Sequence, residues 1–571
     1  MYITYDRKHF PVDCTNRDNY RRSVDGGDYR PTWLIRVSDW EKVPGEEAVD
    51  GYHTLSYCWE QSGDVVQRND GSGEFDCIDK GRHCIIDHVE ERKASNFFRT
   101  TVKKYVQYEE LLQQVCNDFQ VDYLWYDKMC IDQSDKEIKL SEIKQMHKIY
   151  RNARYTIVMI PELYFRDPEH FEPKKLQDGD YARLAAEDVI DASKWMTRSW
   201  TLEEVMMSKH ILIIGMNVNM FQYSLHSIDI PTTVDALSEM LLDFGKENGG
   251  KGSVSQALSE AHLRTSTKPH DMIFALVNTF SHVLEGMDIS YDTDIQTAFN
   301  IFYRAIATKD LSILYFGIDH ELFRPYVRNN TMGNYKLPSW TGVTGYHPSR
   351  YANSTISSSL SYYINDDNMY MYVKTKCYWD ISITQYKDIY SLYEKGVFQK
   401  LKECIKNYKS KGKWTSVIVT EKSIYLNSWA DDINFNSKIY MTHYHQRSND
   451  PLTRIRPLSL TEDCKECIVL PILLKVHIPF EAYGKPTRYV KDYKHAYFLP
   501  VIRKSLHSEV RYKAIGVYYI GEEIEPTTLL MKCWNHSVGR DDINSIKKPQ
   551  EMLDILFENN YHDTPKEFII E

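Results

Sequence analysis

The sequence predicts an α/β protein: a parallel sheet with helices on both faces, then a helical extension and a β-rich C-terminal domain. Three observations point there. Between Val121 and Pro161 a strand-like apolar run, a helical pattern and a second apolar run follow one another within about forty residues. That is the length of a βαβ unit, whose two strands lie parallel in one sheet. From Gln256 to about Lys309 the apolar spacing is helical. From Leu337 onward, runs rich in Tyr, Ile and Val are bounded by polar turns, as strands are.

A chain of 571 residues exceeds what one core can organise. The expected division is a lead-in over 1–31, an α/β domain over 32–220, a helical extension over 221–345 and a β-rich domain over 346–571. The lead-in is polar and carries Asp25-Gly26-Gly27-Asp28. Lys and Arg total 70 against 80 Asp and Glu, a net charge of −10 that argues against a general nucleic-acid-binding surface. The longest apolar run, Cys467 to Leu474, contains Pro471 and is too short to span a bilayer. The first residues hold no apolar signal core. Eleven scattered cysteines, an odd number, suit a reducing compartment, so the expected location is cytoplasmic.

The elements follow in order. Thr32 to Val37 reads as a short strand. Tyr52 to Tyr57 alternates, reads as a strand and ends at Cys58-Trp59. Residues 60–98 are rich in Gly, Asp and charge and read as a long insertion. Val106, Leu111, Val115 and Phe119 mark a helix feeding a strand at Tyr123 to Tyr126. Ser134 and Glu137 form a capping box for the next helix, which places Leu140, Ile143, Met146 and Tyr150 on one face. Tyr155 to Ile160 is a second buried strand. Helices are expected around Ala182 to Ile190 and from Thr197 through Val205, and a strand from His210 to Ile214. Further on, strands are expected at Met369 to Ile383, Ser416 to Thr420, Ser423 to Leu426, Cys467 to Val476, Ala496 to Ile502 and Tyr512 to Ile520.

Three familiar patterns carry little. The Gly245 stretch lacks the hydroxyl of a phosphate loop at Gly252 and follows a helical pattern, so a helix cap and linker fit better. Cys77, His83, Cys84 and His88 match no familiar zinc spacing. Cys464-x-x-Cys467 is a single pair leading into a strand.

Polar groups at the carboxyl ends of parallel strands are where such sheets bind ligands. Asp127, Cys130, Asp132 and Gln133 stand at one such end. Asp127 reads equally as a ligand contact or a local structural group. Asp132 reads as help in capping the next helix, and Cys130 as a small buried apolar group. Glu204 has two readings. Thr201-x-x-Glu204 is a capping box flanked by Trp200 and Val205 at staple positions, which makes Glu204 structural. A carboxylate beside aromatic rings at a helix start can also hold a sugar hydroxyl or oppose a cationic transition state.

Three blocks resemble the fungal heterokaryon-incompatibility (HET) domain. Tyr52 to Trp59 is similar to its Tyr-x-x-Leu-Ser-Tyr-x-Trp-Gly block. Leu124 to Gln133 is similar to its Leu-Trp-Ile-Asp-x-x-Cys-Ile-Asp-Gln block, continued by Met146, Ile149, Tyr150 and Ala153. Arg198 to Glu204 is similar to its Arg-x-Trp-Thr-Leu-Gln-Glu block. Pro269 to Leu276 and Leu337 to Trp340 resemble the segment that follows this domain, so the likeness covers roughly residues 30 to 345. Glu60 replaces a Gly, Tyr126 an Ile, and Glu142 and Glu203 each a Gln.

The resemblance implies a flavodoxin-like or Toll/interleukin-receptor (TIR)-like sheet and a role in non-self recognition and programmed cell death, a form of innate immunity. Trp200 to Val205 also resembles the Trp-Cys-Leu-x-Glu-Leu of plant-type TIR domains. That likeness implies Glu204 as a catalytic carboxylate for NAD cleavage. Tyr57, Trp59, Asp127, Arg198 and Trp200 would line the substrate site, and Ser56, Cys130, Asp132, Gln133, Tyr150 and Thr201 would build the motif. NAD is then a substrate, and no cofactor or metal is required. The alternative is a non-catalytic adaptor that works by self-association or by binding a partner protein.

Overall fold

A computed structural model describes residues 27–67, 69, 75–92, 98–118, 121–132, 136–163, 189–190, 192–208, 211–216, 254–277, 287, 289–316, 334–343, 345, 347, 353–381, 414–420, 424–429, 440–442, 455–457, 467–479, 493–506, 508–522 and 549–571. The chain forms two compact units, Met1–Gly245 with Phe274–Thr279, and Lys246–Ile273 with Phe280–Glu571.

In the first unit, six strands among the described residues form one sheet: β1 (Trp33–Arg36), β2 (Glu41–Pro44), β3 (His53–Ser56), β8 (Tyr123–Trp125), β9 (Thr156–Met159) and β10 (Ile211–Ile214). Their order is β10-β9-β3-β8-β1-β2. β10, β9, β3 and β8 run parallel, while β1 lies antiparallel to both β8 and β2. The strands of the expected βαβ unit, β8 and β9, are therefore not neighbours. β3 lies between them, pairing Thr54 with Trp125 on one side and with Thr156 on the other. The first parallel strand sits inside and the chain reverses direction across it. The crevice at such a reversal opens at the carboxyl end of that strand.

β3 is buried at all four positions, so His53, Thr54 and Ser56 have to satisfy their polar atoms inside the protein. His53 Nδ1 accepts the Tyr155 amide at 3.2 Å, and burial drives its pKa down to about 3, which keeps the ring a neutral acceptor. Thr54 Oγ1 lies 2.8 Å from Thr156 Oγ1, which in turn contacts Ser208 Oγ.

Helix α4 (Lys136–Asn152) joins β8 to β9, with Ile143, Met146, Ile149 and Tyr150 buried. The Tyr150 hydroxyl donates to the Leu55 carbonyl at 3.0 Å, and its ring stands edge-on to Trp125 at 5.6 Å. Helix α5 (Ser199–Met206) leads to β10 and packs on α4 and β3. Helix α2 (Tyr108–Asp118) precedes β8 and buries Leu111, Leu112 and Val115. Val106, expected in that helix, instead lies near the end of a strand.

The described part of residues 60–98 is not an irregular insertion. After the single turn α1 (Trp59–Ser62) come β4 (Gly63–Gln67) paired with β5 (Phe75–Asp79), then β6 (Arg82–Arg92) paired with β7 (Phe98–Gln107). The reason is visible in exposure. Val65, Val66, Phe75 and Ile78 are all solvent-facing, so the β4–β5 ribbon lacks the one buried face that would impose alternation on its sequence. Ser134, the 182–188 part of the expected helix, His210 and the Gly245 stretch lie outside the described residues.

Among the described residues, α-helices lying wholly in the second unit are Val254–Ala261, Ile295–Lys309 and Pro549–Phe557, and the helix His270–Val277 begins there. Ile295–Lys309 is capped by Asp294, whose carboxylate accepts the Thr297 amide at 3.0 Å. The β-rich region forms a sheet of thirteen strands among the described residues, nearly all antiparallel. The last strand, Tyr561–Ile570, is polar and contains Pro565, and no alternation announces it. It pairs antiparallel with Met371–Cys377 and parallel with Arg511–Glu522. No helix among the described residues is long and apolar enough to cross a membrane.

Gly342 tests the packing of this unit. Its φ is +67°, and a Cβ there would lie 2.6 Å from His347 Nε2 and 2.7 Å from Phe316 Cδ1. His347 cannot retreat, because its ring is fully buried with Nδ1 2.8 Å from the Tyr315 carbonyl. Gly342→Ala is expected to lower the unfolding free energy by about 2–4 kcal/mol, read from the denaturation midpoint.

Candidate functional site

Alternation along β3 sends successive side chains to opposite faces, and this divides the site in two. Ser56 turns toward α5. Its hydroxyl donates to Glu204 Oε2 and accepts the indole N–H of Trp195 at 2.8 Å. Trp195 is fully buried and Glu204 is 8% exposed. Tyr150 closes the other side: burial first, then the nearby Glu204 charge, raises its hydroxyl pKa well above the usual range. The Glu204 carbonyl accepts Ser208 Oγ, so the Thr54–Thr156–Ser208 chain of hydroxyls ends on the same residue.

The capping-box reading of Glu204 is overturned. α5 begins at Ser199 with Arg198 as N-cap, so Thr201 is the third helical residue, not the cap. Its hydroxyl points back, to the Trp195 carbonyl at 2.7 Å and the Arg198 carbonyl at 2.8 Å. Glu204 stands a turn further in than a capping carboxylate does, and its carboxylate accepts Ser56 of the strand.

Tyr57 turns the other way. Its hydroxyl lies 2.9 Å from both Asp127 Oδ1 and Asp79 Oδ2. Asp127 opens α3 (Asp127–Cys130), and its carboxylate also accepts the Lys128 amide at 2.6 Å and Trp59 Nε1 at 3.3 Å. Burial pushes the Asp127 pKa up to about 6, against the lowering effect of these donors. Asp79 lies at the end of β5 with its side chain 2% exposed. It accepts Tyr126 and Ser62 hydroxyls at 2.5 Å each and the Gly81 amide at 2.7 Å. The rings of Tyr57, Tyr108 and Tyr126 stand edge-on to one another, 5.4–6.0 Å apart.

The remaining predicted residues sit around these two groups. Arg198 lies near Cys58, whose thiol pKa is raised by burial and lowered in part by the Arg198 charge. Trp59 and Trp200 are half-buried against the core. Cys130 is 1% exposed, and burial raises its thiol pKa to about 12, so it is a neutral packing group. Asp132 follows α3 half-buried, and Gln133 lies outside the described residues. No group of three or more His, Cys, Asp or Glu side chains fit to hold a metal is found among the described residues. His83 is buried, with Nε2 3.0 Å from the Gly215 carbonyl.

Sequence reasoning missed Trp195 and Asp79. Trp195 precedes the third block by only a few residues, and its type alone could have raised it as a buried donor. Asp79 carried no signal, because its importance comes from a ribbon returning to the sheet. The same rim carries Lys194, paired with Glu60 at 2.8 Å, and Glu162, which accepts Gln61 and the Lys194 amide.

Ser56 is the joint between strand and helix. Ser56→Ala would leave the Trp195 N–H and a Glu204 oxygen facing a methyl group. The expected loss is about 2–4 kcal/mol of unfolding stability, measured by chemical denaturation.

No curated protein and no solved structure matches this chain. Residues 52–204, which run from the entry to β3 as far as Glu204 itself, match the family model described as Heterokaryon incompatibility protein (HET).

Proposed function

We propose that this chain is an effector of fungal non-self recognition that drives programmed cell death from the cytoplasm, and that its first unit acts by cleaving NAD between nicotinamide and ribose. The observation that carries the reading is the position of Glu204, hydrogen-bonded by Ser56 at the carboxyl end of the strand where the sheet reverses. The match of residues 52–204 to the heterokaryon-incompatibility family supports the biological role.

The chemistry asks for few groups. The bond from ribose C1′ to the nicotinamide nitrogen breaks, and its electron pair leaves with nicotinamide. The Glu204 carboxylate opposes the positive charge that develops on the sugar. Water then adds to C1′ and releases a proton, giving ADP-ribose. Ser56, itself held by the Trp195 N–H, is the partner that the carboxylate leaves to meet the sugar and returns to afterwards.

A second reading draws on one specific observation. Glu204 is 8% exposed and engaged with Ser56, which suits a tie between α5 and β3 in a non-catalytic module that self-associates or binds a partner. Nicotinamide release separates the two. Glu204→Gln keeps an acceptor for Ser56 and loses the charge. Release is expected to slow about 10²–10³-fold with the melting temperature nearly unchanged. Glu204→Ala is expected to lose both release and stability. A Gln variant as fast as wild type would remove Glu204 from the chemistry. No release by wild-type protein, even when forced to oligomerise, would leave the adaptor reading standing.

A further inference from the structure

The bridge between the two aspartates has a proton deficit. The Tyr57 hydroxyl carries one hydrogen yet lies at hydrogen-bond distance, 2.9 Å, from a carboxylate oxygen on each side. Asp79 is supplied without it. Ser62, Gly81 and Tyr126 all donate to its carboxylate, and the Lys128 ammonium lies 3.6 Å away. Asp127 has only the Lys128 amide and the more distant Trp59 N–H, so Asp79 holds the larger set of donors and the nearby cation, and Tyr57 donates to it. The contact from Tyr57 to Asp127 then needs a proton on Asp127, with Asp127 Oδ1 donating to the tyrosine oxygen. With Asp127 ionised, two electron-rich oxygens face each other across 2.9 Å.

We propose that one proton shared along Asp127, Tyr57 and Asp79 latches the end of the β4–β5 ribbon to the rim of the parallel sheet, so that the ribbon is held more tightly on acidification. This inference rests on donor counting and is independent of the NAD reading. The groups bearing on Asp127 are Tyr57 from the end of β3, Trp59 from α1, Asp79 from β5, Tyr108 from α2, Tyr126 and Lys128 beside it, Cys130 from its own helix and Tyr150 from α4. Lys128 alone among them is cationic. It sits against Asp79, donating to its carbonyl at 2.9 Å, which favours the proton residing on Asp127.

The direction follows from linkage. The pKa of Asp127 is about 6 with the latch closed, raised from the ordinary 3.8 chiefly by burial. Opening the latch exposes the carboxyl and returns it to its ordinary value. Between these values opening releases a proton. The latch is therefore fully supported below about pH 4, and that support is lost as pH rises toward 6.

Hydrogen exchange of the full chain measures this at amides the latch itself holds: Gly81, bonded to Asp79, and Lys128, bonded to Asp127. After correction for intrinsic rates, their opening constant is expected to rise about tenfold from pH 4.5 to 5.5 and to level off above pH 7. Asp127→Asn supplies a permanent donor to the Tyr57 oxygen but takes the Oδ1 acceptor from the Lys128 amide, so it is read at Gly81, which is expected to exchange slowly with no such slope. Tyr57→Phe removes the bridge and is expected to exchange faster at pH 4.5, also without the slope. A wild-type profile flat between pH 4.5 and 7.5 would overturn the latch. So would an Asn variant that keeps the wild-type slope.

Discussion

Ser56 stands at the last paired position of a strand with hydrogen-bonded neighbours on both edges, and its one hydroxyl serves an indole N–H and a carboxylate together. The rest of the first unit depends on that double duty. A central parallel strand has no face open to water, so its polar side chains must find partners within the fold. Thr54 does so through Thr156, and Ser56 through Trp195 and Glu204. These bonds fix the helix that carries Glu204 against the strand, and they set the rim on which the second carboxylate group is assembled.

The two carboxylate groups follow from one geometric fact. Consecutive residues on an extended chain face opposite ways, so Ser56 and Tyr57 recruit different partners although they are joined by one peptide bond. On one side a serine and a tryptophan hold Glu204. On the other, a tyrosine cluster holds Asp127 against Asp79. The environments differ in kind. Glu204 accepts a serine hydroxyl at 8% exposure, whereas Asp127 is half-buried at a helix start beside a second carboxylate. Divergent surroundings of this sort let two acids in one small region take different protonation states.

How much of this was legible in the sequence depended on whether one face of an element is buried. β8, β9 and β10 read as short apolar runs and β3 as an alternating strand, and each is found close to its expected place. The helix from Lys136 shows its face through Ile143, Met146 and Tyr150. The β4–β5 ribbon has no such face, so its residues read as an insertion. That blindness hid Asp79, the most heavily bonded carboxylate of the rim. No residue between Val121 and Pro161 announces that β3 will enter between the two strands; only the likeness to a flavodoxin-like sheet, whose first strand lies inside, implied that order. Thr201 failed for a narrower reason. Its spacing to Glu204 suits a capping box, but the helix starts three residues earlier, with Arg198 as its cap, and the threonine hydroxyl bonds the carbonyls of Trp195 and Arg198.

A buried carboxylate that is to meet a substrate has to be uncovered, and the contacts say what that would take. Glu204 is held from the strand by Ser56, and its backbone carbonyl is held by Ser208, which belongs to the hydroxyl chain of β3 and β9. Moving α5 as a body would break both ties together. Turning the carboxylate alone leaves the backbone tie intact and gives up its side-chain contacts, of which the Ser56 bond by itself is worth roughly 1.5–3 kcal/mol net for a charged acceptor. The smaller movement is thus the one available within the thermal range of a folded domain. It requires only that the Trp195–Ser56 bond persist so that the serine stays in register. Within the NAD reading, the tryptophan before the helix is therefore a positioning residue: it holds Ser56 ready to take the carboxylate back when substrate leaves.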